Sequence, residues 1–228
     1  MNTRRLIVAL DVPERQRALE LAHALRTEVA MVKVGLEGFV AHGPELVRAL
    51  VGDGLAVFLD LKLHDIPRTA ARAASEAAKL GATLVTAHAS GGTAMLRAAR
   101  ESMPACTRLL AVTVLTSLAD ADALAIGLRD GARQSVLRLG ALAMASGADG
   151  LVCSAHELAA VASLGGLRVV PGIRPLGVAR GDQQRTATPR EALAAGASYI
   201  VVGRPIVEAA DPVAAAQAIN QELEGRSV

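Results

Sequence analysis

The stretch FLDLKLHDIP, residues 58–67, places charge where a buried strand should carry none. It begins inside an apolar run, Leu55 to Leu59, that predicts a buried strand. Side chains two apart on a strand point the same way, so Asp60 and Lys62 are expected on one face. Burying a charge is costly unless the charge is paired or used. The stretch is therefore either an ion-pair network or a catalytic site, and these residues alone leave both interpretations open.

Seven other short apolar runs accompany this strand, and helix-forming segments separate them. Together with the run at 55–62, the predicted strands are 6–10, 31–35, 109–115, 168–172 and the ends of three segments that open on Gly-Ala, 81–88, 147–154 and 196–203. Helices are predicted near 18–25 and 44–51, then at 69–79, 132–145 and 213–223, with a short one near 120–128. The order is an alternation of strand and helix along the whole chain.

The uniformly apolar strands predict a parallel sheet that is covered on its faces. Eight βα units in 228 residues fit a (β/α)₈ TIM barrel, which we expect to form a single domain over residues 1–228. A doubly wound open sheet is the alternative. The first strand is not followed by G-x-G-x-x-G, which weakens a dinucleotide-binding version of that sheet.

Composition narrows the class of protein. The chain is 52% hydrophobic, has a formal net charge of +2 and contains 1% aromatic residues, so a nucleic-acid surface or base-stacking platform is not expected. Its two cysteines suggest a reducing compartment. The apolar run before Asp11 is too short for a signal peptide or a membrane span. We therefore expect a soluble, cytoplasmic protein.

Polar residues follow almost every predicted strand, at the end where a barrel carries its active site. They are Asp11, Lys33, Asp60, Lys62, His88, Ser90, Thr116, Ser117, Ser154, Arg174, Gly203 and Arg204. Only three of the 24 basic residues are lysines, and two of these, Lys33 and Lys62, lie in strand-like runs. Lysine supplies a compact, titratable ammonium and arginine does not, so lysines at these two positions suggest that such a group is needed there. This convergence favours catalysis by Asp60 and Lys62.

Two later segments suggest phosphate binding. In the segment VGRP, residues 202–205, Gly203 would let an anion approach backbone N–H groups and Arg204 would add bidentate contacts. The polar loop 172–190 could form a lid, with Arg174, Gln183 and Arg185 as anion contacts. A metal site is not predicted, because the five histidines show neither H-x-x-x-H nor H-E-x-x-H spacing.

At this point the motifs resemble one known family. The segment from Asp60 to Pro67 is similar to the D-x-K-x-x-D-I-P motif of the orotidine 5′-phosphate decarboxylases, especially the bacterial group. Further segments match in order: Asp11, VKVG at 32–35, VTAHASGG at 85–92, VTVLTS at 112–117, PGIRP at 171–175, GDQ at 181–183 and VGRP at 202–205.

The resemblance implies decarboxylation of orotidine 5′-phosphate to UMP without a cofactor, by a homodimer with shared sites. It implies a charged network of Lys33, Asp60, Lys62 and Asp65, in which Lys62 donates the proton and Asp65 enters the neighbouring subunit's site. The implied substrate contacts are Asp60 near the departing carboxylate, Asp11, Lys33 and Thr69 toward the ribose or phosphate, Thr116 to the pyrimidine, and Arg174, Gln183, Gly203 and Arg204 to the phosphate.

One departure and two rival functions accompany the resemblance. Arg68 stands where the family commonly has asparagine, which puts only local loop contacts in doubt. A related Mg²⁺-dependent sugar-phosphate decarboxylase is one rival, but such enzymes carry an acidic metal ligand where this chain has Lys33. A non-catalytic nucleotide-binding barrel is the other, and the intact Asp60 and Lys62 argue against it.

Overall fold

The fold is a closed barrel of eight parallel strands, seen in a computed structural model that describes residues 4–128, 131–175 and 186–225. The strands are β1 (Leu6–Ala9), β2 (Met31–Gly35), β3 (Val57–Leu63), β4 (Leu84–His88), β5 (Arg108–Val112), β6 (Gly150–Val152), β7 (Leu167–Val170) and β8 (Tyr199–Val202). Each strand pairs in parallel with the next, and β8 pairs with β1. The predicted (β/α)₈ barrel is thereby confirmed, and the open sheet is excluded.

Helices occupy the connections between the strands. They are α1 (Arg15–Leu25), α2 (Leu36–Gly52), α3 (Pro67–Lys79), α4 (Gly92–Glu101), α5 (Asp120–Ala125), α6 (Gly131–Ala145), α7 (Leu158–Val161), α8 (Pro189–Ala194), α9 (Arg204–Val207) and α10 (Pro212–Leu223). Short 3₁₀ turns accompany α4 and α7. Among the described residues, no helix is both long and apolar enough to cross a membrane.

Two element boundaries differ from the predicted ones. The helix expected near Pro44 begins eight residues earlier, at Leu36, and bends at Gly43, whose φ of 61° only glycine adopts easily. The Gly43–Pro44 pair therefore marks a kink that divides α2 in two, and the second helical segment begins at Pro44, as predicted. The strand expected over 109–115 ends at Val112, so Val114 and Leu115 belong to the following loop.

The apolar side chains form two layers, one on each side of the barrel wall. The larger layer lies between strands and helices and includes Leu59, Val85 and the buried face of α1. The smaller layer fills the barrel interior with Ile7, Ala9, Met31, Phe58, Leu84, Leu110, Val169 and Val201. Adjacent strand residues enter opposite layers, as the pleat requires.

The interior face of each strand changes from apolar to polar near its carboxyl end. On β3 the residue two beyond interior Phe58 is Asp60, and on β2 the residue two beyond Met31 is Lys33. On β4 the residue two beyond Leu84 is Thr86. Alternation along neighbouring strands therefore delivers polar side chains to the same mouth of the barrel.

Candidate active site

The centre of the site is an ion pair on β3. The Lys62 Nζ lies 2.8 Å from Asp60 Oδ2, and the Asp60 side chain is 13% exposed while that of Lys62 is 34% exposed. Leu59, Leu61 and Leu63 pack on the opposite side, in the layer between the barrel and the helices. The predicted division of this stretch into a charged face and an apolar face is confirmed.

The backbone of β3 is irregular where it carries this pair. The strand ladder pairs Leu59 with Val85 and then Leu63 with Ala87, so four residue steps on β3 face two on β4. Lys62 lies in this bulge with a φ of 52°, the one positive φ of a non-glycine residue in the described parts of the chain. Bulges next to active sites re-aim a side chain, and here the re-aimed side chain is Lys62.

Thr86 on β4 joins both members of the pair, and sequence reasoning missed it. Its hydroxyl donates a hydrogen bond to Asp60 Oδ1 at 2.9 Å and accepts one from the Lys62 backbone N–H at 2.9 Å. The side chain is fully buried. The alternation of Leu84, Thr86 and His88 on one strand face could have placed it in the interior.

A second ion pair links β2 with the loop after β1. The Lys33 Nζ lies 3.1 Å from Asp11 Oδ1 and 3.4 Å from Oδ2. The Lys33 side chain is 10% exposed and that of Asp11 is 45% exposed. Gly35 leaves room for this pair, because a Cβ there would lie 2.8 Å from the Lys33 Nζ. The contacts of the described residues thus form two separate pairs and not one continuous network.

A pocket at the carboxyl end of the strands is lined by both members of the first pair and by Lys33 of the second, whereas Asp11 is not among its lining residues. Its lining includes Lys33, Asp60, Lys62 and Thr116, with Phe58 and Val201 among the apolar side chains of its wall. Thr116 lines this pocket from the loop after β5. Within the described ranges, no group of three or more His, Cys, Asp and Glu side chains is placed to hold a metal ion.

Several predicted site residues lie outside the lining of this pocket. Asp65 is exposed, and its Oδ1 accepts a hydrogen bond from the Ile66 N–H at 2.6 Å. Thr69 is exposed on the first turn of α3. Arg174 is partly buried and donates from Nη1 to the Ile173 carbonyl at 2.9 Å.

The remaining predicted phosphate contacts lie after β8 or beyond the described residues. Gly203 follows β8 directly, and Arg204 begins the one-turn helix α9 with its side chain exposed. Gln183 and Arg185, with most of the predicted lid, lie outside the described residues.

Two histidines flank the β3 pair. The rings of His64 and His88 are 5.4 Å apart between centroids and tilted by 41°. Burial lowers the pKa of His88 below its ordinary 6.5, and positive charge on His64 and Lys62 lowers it further, while Asp60 acts in the opposite direction. His88 therefore favours its neutral form and adds little positive charge beside Lys62.

The chain is similar to known proteins over nearly its whole length. A family model described as "Orotidine 5′-phosphate decarboxylase / HUMPS family" matches residues 4–219. A protein named orotidine 5′-phosphate decarboxylase from Anaeromyxobacter sp. (strain K) is 54% identical over 223 residues, which cover 96% of this chain and 98% of that protein. One of the same name from Pseudomonas aeruginosa is 50% identical and covers 96% and 97%.

Two solved structures with the same fold carry the same protein name. The crystal structure of orotidine 5′-phosphate decarboxylase from Lactobacillus acidophilus matches with a TM-score of 0.83 and 39% identity, over 96% of this chain and 99% of that one. The enzyme of the same name from Pyrococcus horikoshii matches with a TM-score of 0.80 and 26% identity over the same shares.

Proposed function

Because this chain belongs to the orotidine 5′-phosphate decarboxylase / HUMPS family, we infer that it decarboxylates orotidine 5′-phosphate to UMP. This reaction is the last step of de novo pyrimidine nucleotide biosynthesis. The observation that carries the assignment within the family is the position of Lys33 in the pocket that the Lys62–Asp60 pair also lines. The names of the relatives at about 50% identity support the same substrate.

Lys62 is the proposed proton donor. When the bond from C6 of the pyrimidine to the carboxylate breaks, CO₂ leaves and the electron pair stays on C6, where the ring delocalises it poorly. An ammonium directed at C6 stabilises this charge and then transfers its proton there, giving UMP. The partial exposure of Lys62 into the pocket suits this role, and water can restore the lost proton afterwards.

Asp60 is proposed to act on the substrate carboxylate and on Lys62 together. Its carboxylate is well buried, so its field is weakly screened. With an effective dielectric of about 20, two unit charges about 4 Å apart interact by roughly 4 kcal/mol, which is large enough to affect the rate. Repulsion between Asp60 and the substrate carboxylate would raise the free energy of the bound substrate relative to the transition state, and this lowers the barrier to loss of CO₂.

The order of strands around the barrel supports the proposed substrate orientation. Because β8, β1, β2 and β3 are consecutive neighbours, Gly203 and Arg204 lie at one side, Asp11 and Lys33 come next, and Asp60 follows. This sequence suits a phosphate, a ribose and a reacting carboxylate in turn. Thr69 is proposed on the ribose or phosphate side and Thr116 at the pyrimidine, with Arg174 and Gln183 at the phosphate.

A homodimer with shared sites is also part of the proposal. The Asp65 carboxylate does not line the pocket of its own chain, and Ile66 beside it is 66% exposed. Leu36 and Val40, on the neighbouring helix α2, are exposed large apolar side chains as well. These three apolar side chains would pack against a second copy, which would bring Asp65 to the partner's pocket. We further propose a cytoplasmic location and no partnership with nucleic acid or membrane.

The function is tested by following ultraviolet absorbance of orotidine 5′-phosphate with protein that has been treated with EDTA. We expect substrate to be consumed at the same rate with and without added Mg²⁺. No turnover would reject the assignment. Turnover of a keto-sugar phosphate that depends strictly on Mg²⁺ would point to the other branch of the family.

The dimer is tested with two matched isoleucines, since Ile66 and Ile126 are equally exposed at 66%. Ile66→Asp should shift the sedimentation of the protein toward the monomer and lower activity, whereas Ile126→Asp should change neither. Mixing Lys62→Ala chains with Asp65→Ala chains should restore some activity. Failure to recover activity, once subunit exchange has been demonstrated, would contradict shared sites.

A further inference from the structure

The Thr86 hydroxyl makes two hydrogen bonds that use its donor and one acceptor site together. It donates to Asp60 Oδ1 and accepts from the Lys62 N–H, both at 2.9 Å. A threonine hydroxyl has one proton to give, so its donation to a carboxylate leaves lone pairs for the N–H. Donation to a charged acceptor is also stronger than donation to a neutral one. One fully buried atom thereby connects the side chain of Asp60 with the backbone of Lys62.

The backbone at Lys62 needs such a connection. A non-glycine residue with a left-handed backbone is strained and persists only where its surroundings fix it. Lys62 has this conformation inside the register shift between β3 and β4. The bond from its N–H to Thr86 anchors the bulge to the neighbouring strand. A change at residue 86 would therefore move the base of the Lys62 side chain as well as the Asp60 carboxylate.

We propose that Thr86 is a positioning residue for the reaction: its hydroxyl holds the Lys62 backbone and the Asp60 carboxylate in one arrangement, which directs the Lys62 Nζ into the pocket. This inference rests on the proposed function, since it names the group that positions the proton donor. Thr86 itself is not among the residues that line the pocket. Its effect on substrate reaches the pocket through the residues to which it bonds.

The proposal makes the chemical step more sensitive to Thr86 than substrate binding is. Misplacing a reacting group by about 1 Å can cost roughly 10²-fold in rate. The proposed ribose and phosphate contacts would supply much of the substrate affinity, and the two hydrogen bonds of the Thr86 hydroxyl go to none of those residues. Loss of the hydroxyl should therefore lower kcat while KM stays nearly constant.

The test compares Thr86→Val, which preserves the branched shape, with Thr86→Ser, which preserves the hydroxyl. Thr107→Val is the matched control, because Thr107, directly before β5, is also a buried threonine whose hydroxyl donates at 2.9 Å, to the Ala82 carbonyl. We expect Thr86→Val to lower kcat roughly 10- to 100-fold with KM within about threefold. Thr86→Ser should recover kcat to within about fivefold, and Thr107→Val should leave kcat unchanged even where it lowers Tm.

Three results would overturn the proposal. They are a Thr86→Val kcat within threefold of the wild type, an equal loss of kcat in Thr86→Ser and Thr86→Val, and an equal loss of kcat in Thr107→Val. If Thr86→Val does not fold, Thr86→Ala replaces it, and a kcat within threefold of the wild type again overturns the proposal. Wild-type protein without turnover would reject the proposed function and this inference together, whereas an active wild type with an equally active Thr86→Val would reject the inference alone.

Discussion

The two ion pairs at the barrel mouth have the same composition, one aspartate and one lysine, but opposite burial. In the pair of Asp11 and Lys33 the ammonium is buried and the carboxylate is half exposed. In the pair of Asp60 and Lys62 the carboxylate is buried and the ammonium is the more exposed member. Both ammonium groups line the same pocket, but that of Lys33 is the more buried and that of Lys62 the more exposed.

The two lysines are also held by different means. Lys33 lies on a regular part of β2, and its side chain passes over Gly35, where the absence of a Cβ makes space. Lys62 lies in a left-handed bulge that Thr86 fastens to β4. The missing Cβ of Gly35 leaves room for the Lys33 ammonium. A buried hydrogen bond to Thr86 instead fixes the backbone from which the Lys62 ammonium extends. We therefore expect substitutions in the Asp60–Lys62 pair to lower catalytic activity more than substitutions in the Asp11–Lys33 pair.

The largest difference in activity between the two pairs is expected when the lysine of each is replaced by alanine. Lys62→Ala should lower kcat by about 10⁴-fold or more, because it removes both the proton donor and the charge beside C6. Lys33→Ala should lower kcat/KM by roughly 10²-fold, because it removes charge alone. Absorbance kinetics measure both losses, and calorimetry with UMP checks that the Lys62→Ala pocket still binds. Activity above 1% in Lys62→Ala would refute its role as proton donor.

Neutralising the two carboxylates gives the next largest contrast. Asp60→Asn should lower kcat/KM roughly 10²- to 10³-fold, because the buried charge is weakly screened. Asp11→Asn should cost only about tenfold, because water already screens a half-exposed carboxylate. Steady-state kinetics of the two variants in one buffer make the comparison. Equal losses would mean that burial does not determine the importance of these two groups.

A smaller effect is expected from filling the space under Lys33. An alanine Cβ at position 35 would lie 2.8 Å from the Lys33 Nζ and 2.9 Å from Asp11 Oδ1, so the pair must shift. We expect Gly35→Ala to lower kcat/KM roughly tenfold through this displacement. Gly38→Ala is the control, because its nearest atom would be 3.7 Å away. If Gly35→Ala is as active as Gly38→Ala, Lys33 does not depend on that space.

The smallest effect is a dependence of stability on pH at His88, beside the second pair. Its pKa is lowered by burial, so between that pKa and 6.5 the unfolded chain binds a proton that the folded protein does not. The contribution to stability is therefore complete above pH 6.5 and is lost as the pH falls through that window. Urea unfolding at pH 8 and pH 5.5 should show a smaller acid loss in His88→Gln than in the wild type. The same loss in both proteins would contradict this assignment, and His23→Gln, at an exposed position, is the control.

Much of the fold was predictable because an apolar run marks each strand and a Gly-Ala turn precedes three of them. The helical segment of α2 before Gly43 was not, because Gly43 and Pro44 indicate a helix boundary and not a kink between two joined segments. The early end of β5 was missed for a related reason. Val114 and Leu115 are apolar because they line the pocket from a loop, and periodicity does not distinguish this from strand burial.

The candidate site was predictable where a strand carries charge and was missed where it does not. Alternation alone placed Asp60 and Lys62 on one face. The positive φ of Lys62 could not be predicted, because glycine is the residue that indicates this backbone conformation in a sequence and lysine is not. Thr86 was overlooked because threonine is an ordinary strand residue, and its importance comes from a register shift between two strands. The pairing of Asp11 with Lys33 likewise depends on tertiary structure.

The scarcity of lysine gives the site a spectroscopic consequence. The chain has three lysines, and two of them, Lys33 and Lys62, line one pocket, whereas the Lys79 side chain is 66% exposed on the outside. A ¹⁵N label on the lysine side-chain nitrogen would therefore give two ammonium signals from the pocket and one from the solvent-exposed Lys79, which serves as a reference. Nuclear magnetic resonance could then follow both ammonium groups during ligand titration, without any substitution in the protein.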